Sequence, residues 1–205
     1  LSDSGRIADR YKERLDEWGV PYEEGGHSEE YILGAAEVIK SPGIPDKAPI
    51  VQKIREKGIP VISEMEFTAR YSSARTVCIT GSNGKTTTTS MVAHILMAAE
   101  LDSTVMIGGY LPLLRAGHRV GQGDTILLES CEYCDSFLNF FPTLAVVLNV
   151  EADHLDYFHD LADVQDSFHK FAMLATAGVL SNGDDIHTVE AMEGIEHITF
   201  GLKEG

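Results

Sequence analysis

The sequence has few basic residues and no long apolar run. Its 16 lysines and arginines stand against 32 aspartates and glutamates, which gives a formal net charge of -16 over 205 residues. Nucleic-acid binding depends on basic surfaces that neutralise phosphate groups, so this balance argues against DNA or RNA as a partner. No apolar stretch approaches the roughly 20 residues of a membrane-spanning helix, and no signal-peptide pattern opens the sequence. We therefore expect a soluble protein without a membrane partner.

Cysteine is also scarce, and the three present are Cys78, Cys131 and Cys134. Three thiols are too few for a disulfide framework and fit the reducing cytoplasm, where we expect this protein. Cys131 and Cys134 have the C-x-x-C spacing that occurs in zinc and redox sites. Because no second pair lies at metal-binding spacing, we interpret both as ordinary loop residues.

The most informative feature that is present is the run Thr-Gly-Ser-Asn-Gly-Lys-Thr-Thr-Thr-Thr at residues 80–89. Residues 77–79 before it are apolar, as in a buried strand, and residues 89–100 after it have apolar side chains at helical spacing. The helical pattern consists of a stripe of Met91, Ile95 and Ala99, with Val92 and Leu96 beside it. The run therefore predicts a glycine-rich loop that joins a strand end to a helix start.

Such a loop binds phosphate because glycines let backbone N–H groups approach an anion, and the first N–H groups of a helix have no partner within it. We expect ATP with Mg²⁺ as the ligand. Lys85 is placed to reach the β- and γ-phosphates, and the Thr86 hydroxyl is placed to ligate the metal. Ile79 stands where the longer motif has its first glycine, so the match is to the shorter form G-x-x-G-K-T-T. The predicted nucleotide contacts within the loop are Gly81, Ser82, Asn83, Gly84, Lys85, Thr86 and Thr87.

The apolar segments predict an α/β protein with two domains, residues 1–72 and 73–205. In the second, strands are predicted at 76–80, 104–107, 125–129, 144–150, 178–181 and 197–200, with helix-length segments between several of them. Short, near-continuous apolar strands of this kind indicate a mostly parallel sheet flanked by helices. The first domain is a smaller, partial α/β unit, with helices at 7–18 and 49–57 and strands at 37–40 and 61–62.

Polar residues follow the predicted strands, and in parallel sheets ligands bind at the carboxyl ends of the strands. Glu129 closes one apolar run, and Asn149 closes the next, just before residues 151–156. A carboxylate at a strand end beside a phosphate loop is the arrangement that holds Mg²⁺ against triphosphate oxygens. Glu129 is therefore the predicted metal ligand, with Glu132 as the alternative. His154 is a second candidate, because neighbouring aspartates are placed to orient its ring.

The phosphate loop, Glu129 and residues 149–156 together resemble the central domain of the Mur ligases, the ATP-dependent amino-acid-adding enzymes of peptidoglycan synthesis. The resemblance extends over nearly the whole chain. Residues 40–45, residues 58–64 and the Gly-Ser-Asn-Gly-Lys loop (81–85) resemble the D-glutamate-adding members. By contrast, residues 105–109, 129–138 and 149–157 resemble the L-alanine-adding members. The L-alanine-adding members usually read E-A-D-E-S-D where residues 129–134 read E-S-C-E-Y-C, so only the two glutamates carry over.

The resemblance implies a ligase that adds L-alanine to UDP-N-acetylmuramate through an acyl phosphate, using ATP and Mg²⁺. A nucleotide sugar and an amino acid would then be its partners. It implies catalytic roles for Lys85, Glu129 and His154, metal ligation by Thr86, Glu129 and His154, and a nucleotide-site role for Asn149. D-glutamate addition to UDP-N-acetylmuramoyl-L-alanine remains an alternative.

The resemblance also implies that the first domain is a partial, Rossmann-like one that holds the UDP part. The candidate contacts are Asp3, Ser4, Ser41, Pro42 and Gly43, although Ser-Pro-Gly is also a common turn sequence. We expect the sequence to start inside this domain and a further C-terminal ligase domain to be absent from it. A nucleotide-binding module without full activity is therefore an alternative. So is a P-loop kinase or GTPase, although no Asn-Lys-x-Asp guanine signature is present.

Overall fold

The computed structural model describes residues 1–41, 43–71 and 73–202. The chain forms two compact units, Leu1–Thr68 and Ala69–Gly205. The first has two pairs of parallel strands, in which β1 (Ser2–Asp3) pairs with β2 (Glu23–Glu24) and β3 (Val38–Lys40) pairs with β4 (Val61–Ser63). Its helices are α1 (Asp9–Glu17), α2 (Glu29–Leu33) and α3 (Pro49–Glu56), and α4 (Glu64–Tyr71) follows β4.

The second unit is built on a seven-stranded sheet. Its strands are β5 (Arg75–Thr80), β6 (Thr104–Leu111), β7 (Ala116–Arg119), β8 (Thr125–Glu129), β9 (Leu144–Val147), β10 (Gly178–Asn182) and β11 (Ile198–Phe200). Their order is β11-β10-β9-β5-β8-β6-β7, and every neighbouring pair is parallel except β6 with β7. The helices are α5 (Lys85–Ala98), α6 (Leu161–Met173) and α7 (Ile186–Ala191), with a 3₁₀ segment at Tyr133–Asn139. The predicted α/β fold with a mostly parallel sheet flanked by helices is confirmed.

Alternate residues of the central strands enter two separate apolar cores. Cys78 and Leu128 belong to one core, in which the aromatic rings of Phe137, Phe168 and Phe171 pack together. The neighbours in sequence, such as Ile79, belong to the other core, where Ala93 of α5 packs. Because successive side chains of a strand point to opposite faces, the sheet is covered on both sides, which explains its continuous apolar strands.

The strand register places three strand ends at one edge of the sheet. β5 lies between β8 and β9, with Ile79 opposite Glu129 and Thr80 opposite Val147. The glycine-rich loop after β5 is therefore flanked by the segments that follow β8 and β9. This arrangement follows from the parallel pairing, since carboxyl ends of parallel strands point the same way.

Three details of the second unit differ from the prediction. Helix α5 begins at Lys85, just before the four threonines, rather than near Thr89. Its apolar stripe is largely exposed, with Met91 at 60% and Ile95 at 64%, whereas the small Ala93 is fully buried. Strand β7 was not predicted. Within the described parts of the chain, none of the helices has the length and apolar character needed to cross a bilayer.

Candidate functional site

The loop after β5 is shaped by two glycines. Gly81 has a φ of 146°, and a Cβ there would lie 2.9 Å from Leu148 Cβ and 3.1 Å from the backbone nitrogen of Asn149. Gly84 has a left-handed φ of 83° and is the N-cap residue just before α5, with no side chain to cap the helix. The first N–H groups of α5 are thus without a cap from this residue and suit an anion. Thr87 lies exposed in the first turn of the helix.

The segment after β9 holds this loop in place. Asn83 N donates to Asn149 Oδ1 at 2.7 Å, and Asn149 Nδ2 donates to the Asn83 carbonyl at 3.0 Å. Ser82 N donates to the Asn149 carbonyl at 3.0 Å, and Glu151 N donates to Ser82 Oγ at 2.8 Å. Asn149 therefore contacts the predicted nucleotide loop directly, through the loop backbone.

Lys85 is paired with a buried carboxylate. Its Nζ lies 2.8 and 3.0 Å from the two oxygens of Glu132 and donates to the Gly81 carbonyl at 2.6 Å. The Lys85 side chain is 15% exposed and that of Glu132 is 1% exposed. Glu132, which the sequence analysis gave as the alternative metal ligand to Glu129, therefore holds the Lys85 ammonium group at the loop.

Glu129 is held by the neighbouring strand and by α5. Its Oε1 accepts a hydrogen bond from Thr86 Oγ1 at 2.8 Å, and its Oε2 accepts one from Gly108 N at 2.7 Å. A Cβ at Gly108 would lie 2.8 Å from the same carboxylate. The structure therefore brings together the two predicted metal ligands Thr86 and Glu129, and it adds Gly108, which the sequence had not indicated as a site residue.

His154 lies next to Glu132 rather than next to Glu129. Its Nε2 is 3.7 Å from Glu132 Oε1 and 3.9 Å from Asp153 Oδ2. The ligand atoms of Glu132, Asp153 and His154 all lie within 4.8 Å of one another. Two carboxylates and an imidazole so placed can hold a divalent cation. Glu132 therefore contacts Lys85 of the loop and also belongs to a second candidate metal site, with Asp153 and His154.

Two tyrosines were missed by the sequence reasoning. Tyr133 donates a hydrogen bond to Asp156 at 2.9 Å, and Tyr157 donates one to Asp135 at 2.8 Å. These carboxylate acceptors raise the pKa of Tyr133 and of Tyr157 to about 12, so both hydroxyls stay protonated. Asp156 was placed near His154 by the sequence argument, and in the structure it binds Tyr133. No local motif predicts these pairs, since each joins two separate loops.

The predicted substrate residues of the first unit lie around one cavity. Asp3, Ser4, Ser41 and Gly43 all line a cavity of about 890 Å³. Lys53 lines it too, and its ammonium group forms an ion pair with Glu29, which also lines the cavity. Pro42, the fifth predicted contact, lies outside the described residues.

The sequence of this chain is similar to those of known proteins. The model of the Mur ligase middle domain matches residues 79–205. The UDP-N-acetylmuramoylalanine–D-glutamate ligase of Bacteroides fragilis is 46% identical over 159 residues, which cover 76% of this chain and 35% of that protein. The UDP-N-acetylmuramate–L-alanine ligase of Clostridium novyi is 38% identical over 186 residues, which cover 88% and 41%.

A solved structure is also similar. The UDP-N-acetylmuramate-alanine ligase of Thermotoga maritima superposes with a TM-score of 0.71 at 26% identity, covering 99% of this chain and 46% of that one. This chain therefore spans less than half the length of each of these three proteins.

Proposed function

The chain belongs to the Mur ligase family, and on this basis we propose that it is part of an ATP-dependent, ADP-forming ligase of peptidoglycan precursor synthesis. The proposed reaction joins L-alanine to UDP-N-acetylmuramate. The observation that supports it most is the cluster of the glycine loop, Lys85, Glu129, Glu132 and His154 at one sheet edge. Its three free cysteines fit the cytoplasm as the proposed location.

In the proposed reaction, the lactoyl carboxylate of the substrate attacks the γ-phosphorus of ATP, which gives an acyl phosphate and ADP. The amine of the amino acid then attacks the acyl carbon, and phosphate leaves as the amide forms. Two anions must meet in the first step, so the protein must neutralise charge and position the reactants. The N–H groups of the loop and the ammonium group of Lys85 serve this purpose on the phosphates.

The donor groups of this site fit Mg²⁺. Thr86 and Glu129 would hold one ion, because their oxygens already lie 2.8 Å apart. His154 would hold a second ion with Glu132 and Asp153, whose ligand atoms lie within 4.8 Å of one another. When bound, Mg²⁺ would neutralise the charge on the phosphate oxygens. Asn149 would keep the loop in its binding shape through its two hydrogen bonds to Asn83.

The cavity of the first unit is the proposed site for the UDP part of the substrate. Asp3, Ser4, Ser41 and Gly43 line it and offer polar contacts. Lys53, which is paired with Glu29, is the lining cation that would contact the diphosphate. Its volume of about 890 Å³ is in the range of small-molecule sites.

The second candidate is the addition of D-glutamate to UDP-N-acetylmuramoyl-L-alanine. It is favoured by the 46% identity to the Bacteroides fragilis protein of that name, against 38% for the L-alanine ligase of Clostridium novyi. The L-alanine proposal is favoured by the segments around Glu129 and Asn149, which resemble the L-alanine-adding members.

The test is ADP release from Mg-ATP by this chain and by the longest reading frame that contains it. UDP-N-acetylmuramate with L-alanine is compared with UDP-N-acetylmuramoyl-L-alanine with D-glutamate. We expect the first pair to stimulate ADP release. Stimulation by the second pair alone would establish the D-glutamate alternative, and binding of Mg-ATP without stimulation by either pair would indicate a module without turnover.

A further inference from the structure

Two hydrogen bonds cross between the loops that contain Glu132 and His154. We name these the β8 loop (residues 130–135) and the β9 loop (residues 148–158). Tyr133 of the β8 loop donates to Asp156 of the β9 loop at 2.9 Å. In the opposite direction, Tyr157 of the β9 loop donates to Asp135 of the β8 loop at 2.8 Å. Each loop therefore supplies one donor and one acceptor to the other.

Both loops contain backbone conformations that need external support. Cys134 and Asp135 have φ values of 54° and 53°, and His154 has a φ of 54°. Side chains other than glycine adopt this left-handed region at a cost, and such residues persist where the surrounding structure holds them. In the β9 loop the strained residue is His154 itself.

The crossed pairs are attached to the folded core. Asp135 also accepts a hydrogen bond from Ser167 of α6, whose side chain is buried. The Tyr157 ring packs edge-on against the buried ring of Phe158, with centroids 4.9 Å apart. The Tyr133 ring lies 4.8 Å from the His154 ring. The tyrosines thus connect the imidazole and its loop to groups that are fixed by core packing.

We propose that Tyr133 and Tyr157 are positioning residues, which hold Glu132 and His154 close enough to bind one divalent cation. The inference deepens the proposed function and rests on it, because it concerns the metal group assigned there. Glu132 and His154 belong to different loops, so their 3.7 Å separation depends on how the loops are joined. Groups that orient metal ligands typically change metal affinity by about 10- to 100-fold when they are removed.

The test uses Tyr133→Phe, Tyr157→Phe and the double variant, each of which keeps the ring and removes only the donor. The control is Tyr11→Phe, because Tyr11 on α1 is comparably exposed and its hydroxyl contacts Arg10. Mn²⁺ binding to each protein is followed by the EPR signal of the free ion. Binding of ATP in the presence of EDTA and the Tm are measured in parallel.

We expect each single variant to raise the Mn²⁺ concentration for half-saturation by about tenfold or more. The double variant should lose less than the product of the single effects, because both hydrogen bonds join the same two loops. Metal-free ATP binding should change by less than about twofold, and the Tm should fall by no more than about 4 °C. Tyr11→Phe should match the unaltered chain in all three measurements.

Three results would overturn this inference. One is half-saturation by Mn²⁺ that stays within twofold of the unaltered chain in the double variant. Another is an equal loss of Mn²⁺ and metal-free ATP binding, which would indicate general damage to the fold. The third is the absence of saturable Mn²⁺ binding in the unaltered chain. The proposed function is judged separately by ADP release, so it can survive any of these results.

Discussion

Lys85 and Glu132 form one pair of residues that bears on both the stability and the proposed chemistry of this site. Glu132 is 1% exposed, and both its oxygens lie within 3.0 Å of the Lys85 ammonium group. A buried carboxylate is costly unless a cation and hydrogen bonds compensate it. The lysine that should bind the phosphates is therefore also the counter-ion of a buried acid.

Replacing Lys85 should affect activity and stability through different causes. In Lys85→Ala, turnover measured by ADP release should fall by about a hundredfold or more, because a charged contact to the phosphates is lost. The free energy of unfolding, measured by urea denaturation, should fall by about 3 kcal/mol, because the buried Glu132 loses the ammonium group that compensates its burial.

A second substitution separates the two effects. Adding Glu132→Gln to Lys85→Ala removes the uncompensated buried carboxylate, so we expect most of the stability to return. Turnover should stay low, because Lys85 and a proposed metal ligand are then both missing. If turnover returned together with stability, Lys85 would act only by supporting the fold. An unchanged rate of ADP formation in Lys85→Ala would remove this lysine from the mechanism.

The sequence predicted those parts of the site that are contiguous. Gly81, Gly84, Lys85 and Thr86 belong to one short motif whose geometry is local, so the motif alone predicts the shape of the loop and a role for each residue. The contact of Gly108 N with Glu129 depends on the pairing of β6 with β8, and no local signal marks it. The same holds for the approach of Glu132 to His154, which depends on how the two loops fold over the sheet edge.

At the scale of elements, the sequence predicted the strands that are covered on both faces. Their apolar runs are long enough to stand out, as in residues 144–147 and 178–181. Strand β7 lacks this signal because it is a short edge strand containing Gly117, where a Cβ would lie 2.8 Å from the Gly109 carbonyl. Strand β7 forms because its backbone lies close to that of β6, and a pattern of apolar residues cannot predict such a contact.

Helix α5 shows why apolar spacing alone misplaces a buried face. Thr89 and Ala93 are the buried residues of this helix, and Met91 and Ile95 are exposed. Val92 and Leu96, which the pattern placed beside the stripe, are partly buried and pack against the core. The pattern of large apolar residues therefore identified the helix and one edge of its packing face, but not the small residues that are fully buried.

The contribution of an N-cap to stability can be tested on helix α6. Its first turn is capped by Asp160, whose side chain accepts a hydrogen bond from Asp163 N at 3.0 Å. Asp160→Ala should lower the free energy of unfolding by about 1 kcal/mol, which corresponds to a fall in Tm of about 2–4 °C. Calorimetry of the unaltered and substituted chains measures this shift.

The matched control on α6 is Asp166→Ala. Asp166 forms an ion pair with Lys170 at 2.6 Å, and both side chains are more than half exposed. Exposed pairs contribute about 0.5 kcal/mol or less, so the Tm should change by less than about 2 °C. Equal shifts in the two variants would contradict the role of Asp160 as a cap.

The whole molecule is acidic, although the ligands proposed for it are anions. A net charge of -16 repels ATP at long range, and the positive charge nearest the loop, Lys85, is already paired with Glu132. The loop N–H groups provide partial positive charge but no net charge. A divalent cation must therefore supply much of the neutralisation, and nucleotide binding should depend strongly on it.

This dependence can be measured as a shift in Tm. A ligand that binds only the folded state at 100 times its Kd stabilises that state by about 2.7 kcal/mol, which corresponds to about 5–10 °C for a chain of this length. We expect Mg-ATP to produce such a shift, and ATP with EDTA or Mg²⁺ alone to produce less than about 2 °C. A full shift by ATP with EDTA would show that the loop and Lys85 suffice for binding without a cation, and the argument from net charge would then fail.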